Sequence, residues 1–151
     1  MSFFNMTNEA YGEYVKKKSP NSKVLPNMLK AFVIGGLICC IGQAILDFFT
    51  SMGLEEEIAS TSTSIILIFL GALLTGLGIY DKIAKVGGAG TLVPITGFAN
   101  SVVSPALEFK TEGFVTGTGA KMFIISGPVI VYGISTSIIY GVILWILQLI
   151  K

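Results

Sequence analysis

Histidine and arginine are both absent from this chain, and charge of either sign is scarce. All ten basic residues are lysines, and charged residues make up 13% of the 151 positions, against about 25% in soluble globular domains. Without histidine the chain cannot build a histidine-ligated metal site, a histidine general base or a histidine pH switch. These absences exclude catalytic sites of the Ser/His/Asp and Cys/His classes.

Cysteine is limited to the adjacent pair Cys39 and Cys40, inside an apolar run. Neighbours on a helix point about 100° apart and cannot bridge each other, so we interpret both as small packing residues. The stretch "GGAGTLV" lacks the third glycine of a dinucleotide fingerprint, and "GTGAK" lacks the spacing of a phosphate-binding loop. We predict a protein that is not an enzyme, with no cofactor, no bound metal and no nucleic-acid partner.

The sequence contains long runs without charged residues. Hydrophobic residues make up 52% of the chain, and its mean hydropathy is +0.79. Three segments, at about 27–50, 64–84 and 127–150, are long enough to cross about 30 Å of hydrocarbon. We predict an all-α integral membrane protein in the lipid bilayer, with a polar arm over residues 1–26 and one membrane domain over residues 27–151.

Each predicted span carries small residues at helical spacing on one face. Such faces allow close approach of a second helix, because lipid supplies no hydrophobic drive and contact depends on van der Waals packing. The candidate helix-packing residues are Gly35 and Gly42 in the first span, Gly71, Thr75 and Gly78 in the second, and Gly133, Ser137 and Gly141 in the third.

Lysine placement predicts the orientation in the membrane. Five lysines precede the first charge-free run, which begins at Ala31. Glu55, Glu56 and Glu57 follow that run without a lysine, and Lys82 and Lys85 follow the second run, which ends at Tyr80. The positive-inside rule therefore places the N-terminus in the cytoplasm. Two interpretations of residues 1–18 stay open. Phe4, Tyr11, Tyr14 and Val15 share a face that suits a helix lying on an anionic leaflet, and a disordered basic tail explains the same stretch.

The segment at about 86–126 is apolar but interrupted by glycine, proline, hydroxyls and an amide. Pro94 favours a helix that begins there, and Pro105 tends to end it, which leaves about half a bilayer of helix. Non-helical backbone at membrane depth is tolerated only against protein or a water-filled cavity. We predict that a polar path is lined by Gly97, Asn100, Ser101 and Ser104, with Phe98 and Val102 on another face. A tightly packed short helix is the alternative.

Four charged residues, Glu108, Lys110, Glu112 and Lys121, lie between this half-helix and the third span. Glu108, Lys110 and Lys121 are candidate contacts for a solute or a gate, although Lys121 also suits a snorkelling anchor. Our preferred topology has three full spans plus a re-entrant pair, 92–107 and 112–126. The alternative is a chain with four or more full spans.

Three stretches carry a resemblance to a known family. "KAFVIGGLICCIGQ", "LLTGLGIYDKIAKVGGAGTLVPITGFANS" and "ALEFKTEG" resemble the stage V sporulation protein AC family of spore-forming Firmicutes, which includes the shorter AE-type relatives. The resemblance covers roughly residues 28–150, and the N-terminal arm favours the AC type.

The resemblance implies a subunit of the dipicolinic acid channel in the spore (forespore) inner membrane. That channel loads calcium dipicolinate during sporulation and releases it in germination, and AC-type proteins are thought to respond to membrane tension. The implied partners are an AE-type membrane subunit and a soluble AD-type protein, in a homo- or hetero-oligomer. Two other functions stay open: a secondary transporter of a small organic anion, and a non-conducting membrane subunit that anchors soluble partners.

Overall fold

A computed structural model describes residues 7–19 and 22–150, and every regular element within these ranges is helical. A 3-10 turn, Lys110–Glu112, and a π-helical turn, Phe114–Gly119, separate the last two α-helices. The α-helices, in chain order, are α1 (Asn8–Lys18), α2 (Val24–Ser51), α3 (Glu56–Gly76), α4 (Tyr80–Gly87), α5 (Ala89–Leu92), α6 (Ile95–Glu108) and α7 (Ser126–Leu149).

Three of these helices are long and apolar enough to cross a membrane. α2 has 28 residues, α3 has 21 and α7 has 24, with mean hydropathies of 2.0, 1.9 and 2.0. At 1.5 Å per residue their lengths are about 42, 32 and 36 Å, all above the roughly 30 Å of bilayer hydrocarbon. The predicted all-α fold, with three helices long and apolar enough to span a membrane, is confirmed for the described chain.

Within residues 7–19 the N-terminal arm forms one short helix, α1. The Thr7 hydroxyl accepts a hydrogen bond from the Ala10 amide across 3.4 Å and caps α1. The last turn carries Lys16, Lys17 and Lys18, where cations suit the negative end of the helix dipole. Phe4, Pro20 and Asn21 lie outside the described residues, and contact of the arm with a lipid leaflet stays a prediction.

α2 and α3 form an antiparallel hairpin, as expected for helices joined by a short connection. Gly53 turns the chain with φ +85°, and a Cβ added to Gly42 would lie 3.3 Å from the Leu67 side chain. α2 begins at Val24, two residues before Pro26. A proline in the first turn costs no hydrogen bond, because the N–H groups there have no partner within the helix.

The second span differs from the predicted 64–84 at both ends. It begins at Glu56 because the Ser/Thr cluster continues the helix: the Thr63 hydroxyl donates to the Ala59 carbonyl at 2.8 Å, and Ser64 donates to Ser60 at 3.1 Å. It ends at Gly76, where the chain turns through Gly78 at φ +67°. α4 then begins as a separate helix.

The interrupted segment folds back against the hairpin. α4, α5 and α6 are separated by Gly88, with φ +49°, and by Pro94, which occupies the N-cap of α6. The helix does not end at Pro105 as expected but continues to Glu108. The Phe109 N–H donates to the Pro105 carbonyl at 3.0 Å, so only the bond that the Pro105 nitrogen cannot donate is missing from that turn.

The predicted second re-entrant segment, 112–126, contains the π-helical turn Phe114–Gly119 with short turns on either side of it, in place of one regular α-helix. Gly113 has φ +101°, and Gly117 packs so closely on the Phe109 carbonyl that a side chain would collide with it. α7 then extends from this segment, and Ser126 is its one buried residue. Its apolar side chains are available to lipid or to other protein chains.

Candidate functional site

Buried polar side chains of α3, α4, α5 and α6 gather where these helices meet. Thr75, Tyr80, Thr91 and Thr96 are between 1% and 8% exposed, and Asn100 is half-buried beside them. We call these five residues the polar junction. In a membrane domain such groups must find protein or water as partners, because lipid offers none.

Asn100 connects α6 to α3 through its side-chain amide. Its Oδ1 lies 2.9 Å from Thr75 Oγ1, which also lies 2.7 Å from the Gly71 carbonyl oxygen. A hydroxyl has one hydrogen, so Thr75 can donate to only one of these oxygens at a time. With the amide turned by 180°, its NH₂ donates to Thr75 while Thr75 donates to Gly71. In both arrangements the amide keeps a free donor for water or a solute.

Gly71 allows α3 and α6 to approach each other at this point. A Cβ on residue 71 would lie 2.9 Å from the Thr96 carbonyl oxygen, 3.0 Å from the Thr96 Cα and 3.2 Å from the Ala99 Cβ. Two of these atoms belong to the backbone and cannot rotate away. The predicted packing residues Gly71 and Thr75 and the predicted path residue Asn100 therefore meet at one helix crossing.

The Tyr80 side chain links α5 and α6, the helices on either side of Pro94. Its hydroxyl donates to the Thr91 carbonyl oxygen at 2.8 Å and lies 3.1 Å from Thr96 Oγ1. The Thr91 hydroxyl in turn donates to the Gly88 carbonyl at 2.8 Å. Tyr80, Thr91 and Thr96 are not among the site residues predicted from the sequence. The available signal was a tyrosine and two threonines in a mostly apolar segment, and their spacing does not indicate that they meet.

α5 is held between α2 and α6 by backbone contacts that only glycine permits. Gly90 lies against the Ala31 carbonyl and Gly97 against the Thr91 carbonyl, and a side chain on either would overlap that oxygen. At Gly87, a Cβ would lie 2.7 Å from the Ile34 side chain. The predicted path residue Gly97 is thus buried.

The remaining two predicted path residues face other surroundings. The Ser101 hydroxyl donates to the Phe98 carbonyl of its own helix at 2.7 Å, and Ser104 is half-buried. Asn100 is therefore the member of the predicted set whose side chain makes a polar contact between helices. Val102, assigned to the other face, lines a cavity.

That cavity, of about 520 Å³, lies between the C-terminal half of α6 and the turns of residues 109–125. Its wall is apolar except for Lys110 and Thr118, whose hydroxyl donates to the Ala106 carbonyl at 3.3 Å. It is lined by Val102, Val103, Ala106, Leu107, Lys110, Phe114, Thr118 and Met122. An apolar pocket with one lysine suits a small amphipathic anion.

The three charged candidates have different surroundings. Lys110 lines the cavity, the Lys121 ammonium lies 5.1 Å from the centre of the Phe109 ring in a cation–π contact, and Glu108 is exposed. Within residues 7–19 and 22–150, no three cysteine or carboxylate side chains form a group that could hold a metal ion.

The other predicted packing residues divide into two groups. A Cβ on Gly35 would lie 3.2 Å from the Gly90 carbonyl oxygen, so Gly35 and Gly42 both lie at helix contacts. Gly78 occupies a left-handed turn, and a Cβ added there would meet no atom within 4 Å. Gly133 and Gly141 also have none, and Ser137 donates to the Gly133 carbonyl of its own helix at 2.8 Å.

Comparison with known proteins gives a family and a relative. The family model described as SpoVAC/SpoVAEB sporulation membrane protein matches residues 27–143. The chain is 47% identical over 141 residues to a Bacillus subtilis (strain 168) protein named stage V sporulation protein AC, and the match covers 91% of this chain and 94% of that protein. No solved structure matches the chain.

Proposed function

We propose that this chain, which belongs to the SpoVAC/SpoVAEB family of sporulation membrane proteins, is a channel subunit for dipicolinic acid. In this proposal it moves calcium dipicolinate across the spore inner membrane, inward during sporulation and outward in germination. Its role is transport and not catalysis.

The polar junction is the observation that carries the proposal. Two breaks in the backbone, at Gly88 and Pro94, lie between apolar spans, and a half-buried amide at Asn100 keeps hydrogen-bonding capacity beside them. Broken helices at membrane depth commonly line the polar route of a transported solute. The apolar cavity with Lys110 at its wall offers a neighbouring surface to an aromatic anion.

Gating by membrane tension is part of the proposal. Of the residues of α7 only Ser126 is buried. A span held by few contacts within the chain can separate laterally when the bilayer is stretched, and the weak packing of α7 supports a tension-sensitive assembly.

The proposed partners are an AE-type membrane subunit and a soluble AD-type protein. The exposed apolar surfaces of α2 and α7 are available for contacts with other membrane chains. The lysines before the first span, and the absence of lysine from the loop after it, support a cytoplasmic N-terminus.

The test is efflux from vesicles that contain dipicolinate and the purified chain, alone or with its two proposed partners. Dilution into a hypo-osmotic buffer should release dipicolinate within the dead time of manual mixing, whether or not an ion gradient is present. Saturable release that requires an ion gradient would instead support a secondary transporter. If folded protein is present in both orientations and release does not exceed that of protein-free vesicles, the chain does not conduct. The remaining function would then be that of a non-conducting subunit that anchors soluble partners.

A further inference from the structure

The first span presents three different faces. At 100° per residue, the packed face carries the half-buried residues Ala31, Ile34, Gly35, Ile38, Gly42, Ile45, Leu46 and Phe49. These contact α3, α4 and α5: a Cβ on Gly35 would lie 3.2 Å from Gly90, and one on Gly42 would lie 3.3 Å from Leu67. This face is fully explained by contacts within the chain.

The second face is exposed and apolar throughout. Val33, Leu37, Ile41 and Phe48 are between 49% and 60% exposed, and Ala44 lies among them. Large apolar side chains with no protein partner in a membrane span are what lipid contact requires. The bilayer explains this face.

The third face is equally exposed but small and polar. It covers a sector of about 100° of the helix, and we call it the polar stripe. It begins at Gly36, one turn after the exposed Phe32 in the same sector, and consists of Gly36, Cys39, Cys40, Gln43, Asp47 and Thr50. A Cβ on Gly36 would meet no atom within 4 Å. Neither packing within the chain nor lipid explains why this one exposed face differs from its neighbour.

Hydrogen bonding within the stripe is incomplete. The Gln43 side-chain N–H donates to Asp47 Oδ1 at 2.8 Å, which leaves the second amide N–H, the amide oxygen and most of the carboxylate's acceptor sites without a partner elsewhere in the described chain. Polar groups at membrane depth that cannot reach water are costly, so such residues mark protein contacts or water-filled routes.

We propose that the polar stripe of α2 forms part of the wall of the water-filled path. This inference rests on the proposed channel function and deepens it, because it adds a wall from the first span to the one predicted on α6. The stripe lies on the surface of the single chain, so the path it borders is completed by neighbouring membrane subunits.

A dry contact with a second copy of this chain fits the stripe less well. Such a contact would bury the Asp47 carboxylate, which costs several kcal/mol without a cationic partner. The chain has no arginine or histidine, and no lysine between residues 31 and 81. Water along the stripe satisfies both Gln43 and Asp47 at no such cost.

Thiol accessibility tests the inference at matched pairs of neighbouring positions. In a background with Cys39→Ser and Cys40→Ser, single substitutions Gly36→Cys, Leu37→Cys, Gln43→Cys and Ala44→Cys are made in the full chain, assembled in membranes with its proposed partners. Each pair shares a depth to within about 1.5 Å but differs in face. A charged, water-soluble thiol reagent should modify positions 36 and 43 at least tenfold faster than 37 and 44.

Equal protection of all four positions, or equal reactivity of both faces, would overturn the inference. Dipicolinate efflux from the same membranes tests the channel function separately. A conducting protein with a protected stripe would contradict the inference and leave the channel function standing.

Gln43→Leu should reduce flux at least tenfold by local dewetting, with Ala44→Leu as its control. Asp47→Asn should raise flux of a free anion about two- to fivefold, because a repelling charge is lost. Loss of flux in both stripe variants would indicate a purely structural role.

Discussion

The phenol of Tyr80, at the start of α4, donates a hydrogen bond of 2.8 Å to the backbone carbonyl of Thr91 in α5. Both residues are almost fully buried, at 3% and 1% exposure. A side chain eleven residues away thereby closes the corner that brings α6 onto α3. The position of Asn100 beside Thr75 depends on this corner. Substitutions at Tyr80 therefore test the structure, and substitutions at Asn100 test transport.

Tyr80→Phe should destabilise the protein without changing its surface. The substitution removes the hydroxyl and leaves the buried Thr91 carbonyl without this donor, a loss of about 1–3 kcal/mol in the free energy of unfolding. We expect a lower apparent melting temperature in detergent. Tyr132→Phe is the matched control, because Tyr132 is 73% exposed. Equal melting temperatures for Tyr80→Phe and the wild type would contradict a structural role for the corner.

Gly71→Leu should disrupt the crossing of α3 and α6. The first added carbon would lie within 3.0 Å of the Thr96 backbone, and overpacking of this kind costs about 1–3 kcal/mol or more. We expect a reduced yield of folded, monodisperse protein in size-exclusion chromatography. Gly76→Leu supplies the control on the same helix, because a Cβ there meets nothing within 4 Å. Similar behaviour of the two variants would mean that this crossing is not tight.

The spans could be predicted from sequence because each is a long apolar run, whereas the two ends of the second span could not. A Ser/Thr cluster suits a loop when water competes for the hydroxyls. Thr63 and Ser64 bond the carbonyls of their own helix instead, so α3 continues through them. Pro105 likewise is a helix-ending signal that the fold overrides.

The candidate site was predictable in part. Asn100 and Thr75 stand out as polar residues in apolar surroundings, but their contact joins residues far apart in sequence. Glycine is also ambiguous: Gly71 and Gly78 share helical spacing, yet one permits a helix contact and the other a left-handed turn at φ +67°. Only the tertiary structure distinguishes these two uses of glycine.

The orientation of the hairpin can be tested by labelling from either side of the membrane. Single cysteines introduced by Glu56→Cys and Lys82→Cys, with Cys39 and Cys40 replaced by serine, should react with an impermeant reagent from opposite sides. The lysine distribution predicts that residue 82 lies in the cytoplasm and residue 56 outside. Labelling of both from the same side would exclude a full crossing by α3.

The number of crossings can be decided at the C-terminal end of α7. Gln148→Cys should label from the outside if the segment between α3 and α7 re-enters the membrane, because three spans then carry the chain across. Labelling from the cytoplasmic side would establish a fourth crossing. Lys82→Cys serves as the cytoplasmic reference in the same vesicles.

Asn100 should matter for flux more than for folding. Asn100→Leu removes an amide near the path and should lower dipicolinate flux through local dewetting, while the Thr75 hydroxyl keeps its bond to the Gly71 carbonyl. Asn100→Asp should lower anion flux by charge repulsion, an effect that weakens as salt rises. Asn100→Gln retains the amide and is the control. Wild-type flux in Asn100→Leu would contradict a path at this position.

Single-channel recording from bilayers reconstituted with the purified chain tests the channel proposal most directly. We expect unitary current steps that appear under applied suction, carry dipicolinate, and decrease in Asn100→Leu at an equal amount of folded protein. An absence of unitary steps at any suction up to rupture of the patch, both for the chain alone and for the chain with its membrane partner, would contradict a channel subunit.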